Sequence, residues 1–374
     1  MGAVLGAAWL FGDGLLGPAA SFGLVVLVAS RNGRADRFAA AMSYYAVGSA
    51  AMVAAVVGYW GEMHLAIAFA AWMMASLLLA GPWAFASGSR RALLALALTA
   101  LPPLGCIGWL SPLNGAGVLF PGTRWIGLLL LCCAVVLSYE SPSFGHCRLV
   151  GIVALVFLIV STNFRYEDPV VPQRWIGINT HIMPARGDVL AGIENNERAI
   201  QAGMTSPKRT QVLFFPEAIL DDWREGTRAQ FALSVPAGQL WILGADTEAS
   251  DALVAAAHSQ VYERTLTRAA GLTLGGNWLP WGKALQPAWW QSIFMVEQRR
   301  VWAALCIEQL QPWTWLEALA QRPDVVVALS NGWWSDARAV RWLPSADAAL
   351  AIERASTRVW SRLLHSPVVV AVNR

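Results

Sequence analysis

Lysine is almost missing from this chain of 374 residues: of its 27 basic residues only Lys208 and Lys283 are lysines. Charge of either sign is scarce, at 14% against 56% hydrophobic residues. The net charge of +3 is small and dispersed, which leaves no electrostatic footprint for direct nucleic-acid binding. No histidine or cysteine pair stands at metal-ligand spacing, and Gly275-Gly276 lacks the strand-to-helix context of a nucleotide loop. Neither a metal nor any other cofactor is therefore expected. Cysteine is scarce as well: of five, only Cys306 lies beyond residue 148, so it has no disulfide partner in that half.

What charge there is lies unevenly. Before residue 163 the ionisable groups sit mostly between long apolar runs; from Arg165 onward their density is that of a soluble domain. A bilayer is the solvent that permits the first half. The runs cover residues 3–30, 38–60, 63–86, 92–110, 125–138 and 149–161. The first contains Asp13 and Gly17-Pro18, so it is one kinked span or two short ones, and six or seven segments are expected. A signal peptide at 1–30 would need a basic leading region, which is absent. Arg31, Arg34 and Arg37 form one cluster and Arg90-Arg91 another, two spans apart, so both belong on one side. The positive-inside rule makes that side cytoplasmic and puts the half after Arg165 outside it. A transporter is disfavoured, because only Asp13 and His64 place ionisable groups inside the runs.

The second half is organised around residues 301–308 (Val-Trp-Ala-Ala-Leu-Cys-Ile-Glu). This is a buried-strand pattern that stops at Cys306 and then a carboxylate, Glu308. Residues 212–217 have the same form and deliver Glu217 after Pro216. Residues 325–334 form a third such run, ending in Ser330, Asn331, Trp333 and Trp334. Buried strands that release polar residues at their ends describe an α/β sheet with a site at its carboxyl edge. A thiol there, with a carboxylate in reach, is a candidate nucleophile and base; the competing reading is a small core residue. Further strands are expected at 175–181, 240–246 and 368–372, and helices at 189–203, 313–319 and 348–364. Residues 251–258 read as a helix or the start of a hairpin. Arg354, Arg358 and Arg362, at four-residue spacing, read most simply as a solvated helix face, the alternative being a row that meets anionic lipid head groups, and His181 reads as a loop residue.

Phe215-Pro216-Glu217, the loop 278–282 (Trp-Leu-Pro-Trp-Gly), Cys306-Ile-Glu308 and Ser330-Asn331 occur in the order found in the nitrilase (carbon–nitrogen hydrolase) superfamily. Together with the apolar first half, the chain resembles the apolipoprotein N-acyltransferases and their divergent relatives, the TraB proteins of plasmid conjugal transfer. The resemblance implies a multi-pass helical membrane domain over 1–163, followed by a nitrilase-like αββα sandwich over 164–374, possessing fewer C-terminal elements than the family. It implies a catalytic Glu217, Lys283 and Cys306, with Glu308, Asn331, Trp333 and Trp334 binding substrate or supporting the site. The implied partners are a phospholipid or other acyl donor, an amine acceptor such as a lipoprotein, and conjugation machinery at the bacterial inner membrane, with the soluble domain periplasmic. Lys283 departs from the pattern: it follows the 278–282 loop, whereas the family's lysine precedes it. Either Lys283 reaches in from a different backbone position, or the triad is broken and the chain is an inactive envelope scaffold.

Overall fold

The computed structural model describes residues 1–139, 145–207, 209–247, 250–262, 265–269 and 288–374. They form two compact units that do not follow chain order. The first comprises residues 1–169, 310–319 and 334–365, the second residues 170–309, 320–333 and 366–374.

The first unit is helical: α1 (Gly2–Ala7), α2 (Leu16–Ala29), α3 (Arg34–Gly48), α4 (Ala51–Trp60), α5 (Leu65–Ala84), α6 (Ser89–Ala100), α7 (Gly115–Leu119), α8 (Trp125–Tyr139) and α9 (Gly145–Arg165). Two stretches, Glu62–Ala84 and Arg148–Arg165, are long and apolar enough to cross a membrane. A third results if α3 and α4, bent by 46° at their junction, count as one span; α2 and α8 are apolar but shorter. The described residues thus supply two or three such helices. Some of the apolar runs are interrupted. The run at 3–30 breaks between α1 and α2 around Gly12, which has φ +97°. The run at 92–110 leaves α6 at Ala100, just before Pro102-Pro103, where no helical N–H is available.

Helix α9 carries the clearest solvent signature. Its 21 residues rise about 31 Å, close to a hydrocarbon core. Val150 and Phe157 are each 68% exposed, and Leu149, Val153, Val156 and Val160 are exposed with them. Such a surface is costly in water and ordinary in lipid. Inside the unit, some buried polar groups are satisfied by one another and by helix-end carbonyls. Trp9 Nε1 donates to the Tyr44 hydroxyl at 2.9 Å, which donates to the Leu110 carbonyl at 2.8 Å. Buried Arg37 donates to the carbonyls of Arg31, Asn32 and Ala84, the ends of two helices.

Two late helices belong to this unit too, after α10 (Val189–Met204) and α11 (Glu225–Ser234) of the second: α12 (Pro312–Gln321), through its residues 312–319, and α13 (Asp347–Leu364). Trp360 on α13 stacks on Trp315, with centroids 6.0 Å apart and planes 1° from parallel. Ser356 Oγ donates to Asn114 Oδ1 at 3.1 Å. The Val359 backbone passes so close to Gly117 that no side chain fits there. This corrects the expected solvated arginine face. Arg354, 29% exposed, lies 3.8 Å from the Asp13 carboxylate. Arg362, 14% exposed, pairs with Asp168 at 3.8 Å and lies over the Tyr166 ring. Only Arg358 of the three is classed as exposed.

The second unit holds two sheets. In the first, β1 (Trp175–Gly177), β2 (Val212–Phe214) and β3 (Leu240–Asp246) run parallel; β4 (Asp251–Ala257) returns antiparallel beside β3, with short β5 (Gln260–Val261) and β6 (Thr267–Arg268) on its far edge. Residues 251–258 are therefore the return strand of a hairpin, with Asp246 paired to Asp251. In the second sheet, β8 (Arg299–Leu305), β9 (Val325–Asn331) and β10 (Val368–Asn373) run parallel, and β7 (Phe294–Val296) pairs antiparallel with β8. Alternation along the strands builds two cores. Phe214, Ile242 and Leu253 of the first sheet pack with Val301, Leu305, Val327 and Leu329 of the second. The other face of the first sheet, with Phe215, Trp241 and Leu243, is covered by α10 (Val189–Met204) and α11 (Glu225–Ser234) through Ala199 and Phe231. Asp188 caps α10, accepting from the Leu190 and Ala191 N–H groups. The sheets meet edge to edge where Thr180 bridges Asn373 in parallel register.

Candidate active site at the carboxyl edge

Central strands β8 and β9 are buried on both faces, and their register pairs Leu305 with Leu329. Cys306 is therefore the first residue past the sheet beside Ser330 and Asn331. Its φ is +42°, in the left-handed region that L-residues seldom adopt. The turn is held from beneath. Glu308, 1% exposed, accepts the Leu305 N–H at 2.9 Å, and Gln309 Nε2 donates to Ser330 Oγ at 2.7 Å. A strained turn directly after a strand is the kind of geometry that presents a nucleophile.

Glu217 sits on the equivalent turn of β2. Pro216 keeps Phe215 extended, and Ala218 then turns at φ +44°. The turn folds tightly over β3: Gly244 N–H donates to the Pro216 carbonyl, and the Gly244 carbonyl accepts from Ile219 and Leu220. A side chain at Gly244 would collide with the Pro216 carbonyl and the Glu217 backbone. Glu217 is 8% exposed and hydrogen-bonded to Asp251 on β4. Burial first, then the adjacent Glu217 charge and hydrogen bond, push the Asp251 carboxyl well above its ordinary range. Asp246 is raised to about 7, by burial and then by Asp251 and Asp221.

Asn331 joins the end of β9, the strand beside Cys306, to the Glu217 turn. Its Nδ2 donates to the Ala218 carbonyl at 3.2 Å, and its Oδ1 accepts from Asn373 Nδ2 at 2.7 Å. Asn373 Oδ1 in turn accepts from Thr180 Oγ1 and the Ile182 N–H, at 2.8 and 2.7 Å. This asparagine pair fixes the ends of β1, β9 and β10 against the Glu217 turn.

With this geometry in hand, comparison with known proteins gives a consistent direction. Over 307 residues the chain is 24% identical to a probable conjugal transfer protein TraB of Sinorhizobium fredii (strain NBRC 101917 / NGR234), an alignment covering 76% of this chain and 72% of that one. Over 298 residues it is 25% identical to conjugal transfer protein TraB of Agrobacterium fabrum (strain C58 / ATCC 33970), covering 76% of this chain and 66% of the relative. The chain is a distant homologue of TraB. No protein-family model matches it.

The remaining expected site residues divide. Trp333 belongs to the second unit, where the Arg186 guanidinium lies 5.2 Å from its ring centroid. Trp334 belongs to the first unit and packs over Gly58. Glu308 spends one oxygen on the Leu305 N–H, a turn-holding role. His181 Nδ1 lies 3.0 Å from the Arg374 carbonyl oxygen, as a loop residue. Lys283 and the 278–282 loop lie outside the described residues. Among the described residues no group of three His, Cys, Asp or Glu is arranged to hold a metal.

Four contributors escape a reading of the sequence alone: Gly244, Asp251, Thr180 and Asn373. Asn373 had a visible signal, because Val368–Asn373 is another apolar strand releasing a polar residue. Gly244 and Asp251 had none, since each matters through a neighbour that the fold brings to it.

Proposed function

We propose that this protein is a membrane-bound, cysteine-dependent acyltransferase or amidase-like enzyme of a conjugal-transfer system. The observation that carries the reading is the Asn331–Ala218 hydrogen bond, which ties the Glu217 turn to the strand beside Cys306. The two-sheet layout with helices over the first sheet agrees with the nitrilase-like sandwich that the motifs suggest, and the relatives' names supply the conjugal context.

In this mechanism the Glu217 carboxylate takes the Sγ–H proton of Cys306. A base is needed because a free thiol, with pKa about 8.5, is mostly protonated at neutral pH. The thiolate attacks an ester or amide carbonyl carbon, and the carbonyl π pair moves onto oxygen. Lys283 is the candidate donor to that oxyanion, a role that contributes roughly 3–4 kcal/mol where one such donor is removed. Collapse expels the alcohol or amine, which takes the proton back from Glu217, and leaves a thioester on Cys306. An amine or water then attacks the thioester, loses its proton through Glu217 and regenerates the thiol. A phospholipid is the proposed acyl donor and a lipoprotein-type amine the proposed acceptor. The second unit is proposed to face the periplasm, from the arginine clusters at 31–37 and 90–91.

The test is intact-protein mass spectrometry after incubation with membranes. A hydroxylamine-labile adduct, lost in Cys306→Ala, is the expected result. A clean thiol under conditions that acylate an N-acyltransferase control would leave the inactive-scaffold reading, which the position of Lys283 in the sequence favours. Reporter fusions after Ser161 and after Arg91 should report opposite compartments.

A further inference from the structure

At the C-terminal end of α9 the first unit contains a cavity of about 400 Å³. Its walls include Thr123, Leu158, Ser161, Arg165, Tyr166 and His365. The cavity stands where the apolar helix gives way to polar chain: Val160 is 62% and Phe164 90% exposed, and Arg165 is the last helical residue. Among the described residues, Arg165 is the one arginine in the cavity's walls, and no carboxylate side chain lines it; two further arginines lie nearby. Arg362 is engaged by Asp168 and the Tyr166 ring, and Arg124 Nε by the Leu364 carbonyl. Arg165 has no ion-pair partner among the described residues. His365 ends α13 at φ +54° and meets the Tyr166 ring edge-on, with centroids 5.6 Å apart. Hydroxyls from Thr123 and Ser161 share the cavity, and the Leu158 side of α9 leads away from it along exposed apolar surface.

We propose that this cavity seats the headgroup of an anionic glycerophospholipid, with Arg165 and His365 facing its phosphate and its acyl chains lying along α9. Two chemistries adjoin here that a soluble anion does not need. One is a guanidinium with an imidazole and hydroxyls at the depth of a headgroup; the other is a helix flank matched to hydrocarbon. The volume suits a headgroup rather than a whole lipid, which leaves the chains in the bilayer. Arg362, over the Tyr166 ring, is paired with Asp168. The site is built entirely by the first unit and does not rest on acyl transfer: a scaffold would bind the same lipid.

The full-length protein in detergent micelles tests this, with phosphatidylglycerol, phosphatidylcholine and inorganic phosphate added separately and read by thermal shift and native mass spectrometry. Phosphatidylglycerol should raise Tm and remain bound in the gas phase, and the other two should not. Arg165→Gln should weaken retention about tenfold, His365→Asn less, and Arg165→Lys should restore part of the loss. Arg209→Gln, in the second unit, should leave binding unchanged. Equal retention of the two lipids, a full shift with inorganic phosphate alone, wild-type retention in Arg165→Gln, or an equal loss in Arg209→Gln would each overturn the proposal.

Discussion

The Glu308 carboxylate accepts the Leu305 N–H at 2.9 Å, from three residues further along the chain and with Cys306 between them. The last N–H of β8 is thereby satisfied by the same short turn that swings the thiol out of the sheet. Glu308→Ala should leave that buried N–H without a partner and destabilise the fold by about 1–3 kcal/mol. Glu308→Gln keeps an accepting oxygen and should cost less. The rate of Cys306 alkylation by iodoacetamide, set beside thermal unfolding, separates a displaced turn from global loss of structure.

Gly244 allows the Glu217 turn to lie directly on β3. Gly244→Ala should force the Pro216 carbonyl away and cost about 2–4 kcal/mol, with loss of any Cys306 acylation. An alanine variant with unchanged Tm and unchanged acylation would show that the close approach is dispensable.

Asp246 gives a pH dependence whose sign is fixed. Its carboxyl is raised in the folded protein from 3.8 to about 7, so the folded state holds a proton that the unfolded state releases. Its contribution to stability is complete below pH 3.8 and is lost as pH rises through 7. Asp246→Asn should therefore stabilise the fold at pH 8 by on the order of 1–3 kcal/mol given its partial solvent access, seen as a higher Tm, and the gain should vanish near pH 4. Stabilisation that is constant from pH 4 to 8 would rule out this titration as the cause.

Gly117 tests whether α13 is integral to the helical unit. Gly117→Ala puts a methyl group into the Val359 carbonyl and should lower Tm by several degrees or abolish recovery in detergent. Gly81→Ala, with open space around it, is the matched control and should be tolerated.

The sequence by itself determined what depends on neighbouring residues. Apolar runs with almost no charge specify a helical half with two or three helices long and apolar enough to cross a membrane, and β-branched runs specify buried strands. The apolar runs give way to polar residues at or just past the strand ends, at Glu217, Cys306 and Ser330-Asn331, because an unpaired polar group is costly in a dry sheet interior. Helices α10, α12 (Pro312–Gln321) and α13 were legible in the same way, within a residue or two at most ends. Only the tertiary structure decided the partners. Asn331 finds Ala218 across 113 residues, and Ser356 finds Asn114 across 242, separations at which no local pattern carries a signal. It likewise put Asp251 against Glu217, divided Trp333 from Trp334 between two units, and turned an arginine row that looked solvated into one with an Asp13 and an Asp168 partner. Periodicity tells which face of an element is apolar; it does not tell which other element will cover that face, and a site is made of those meetings.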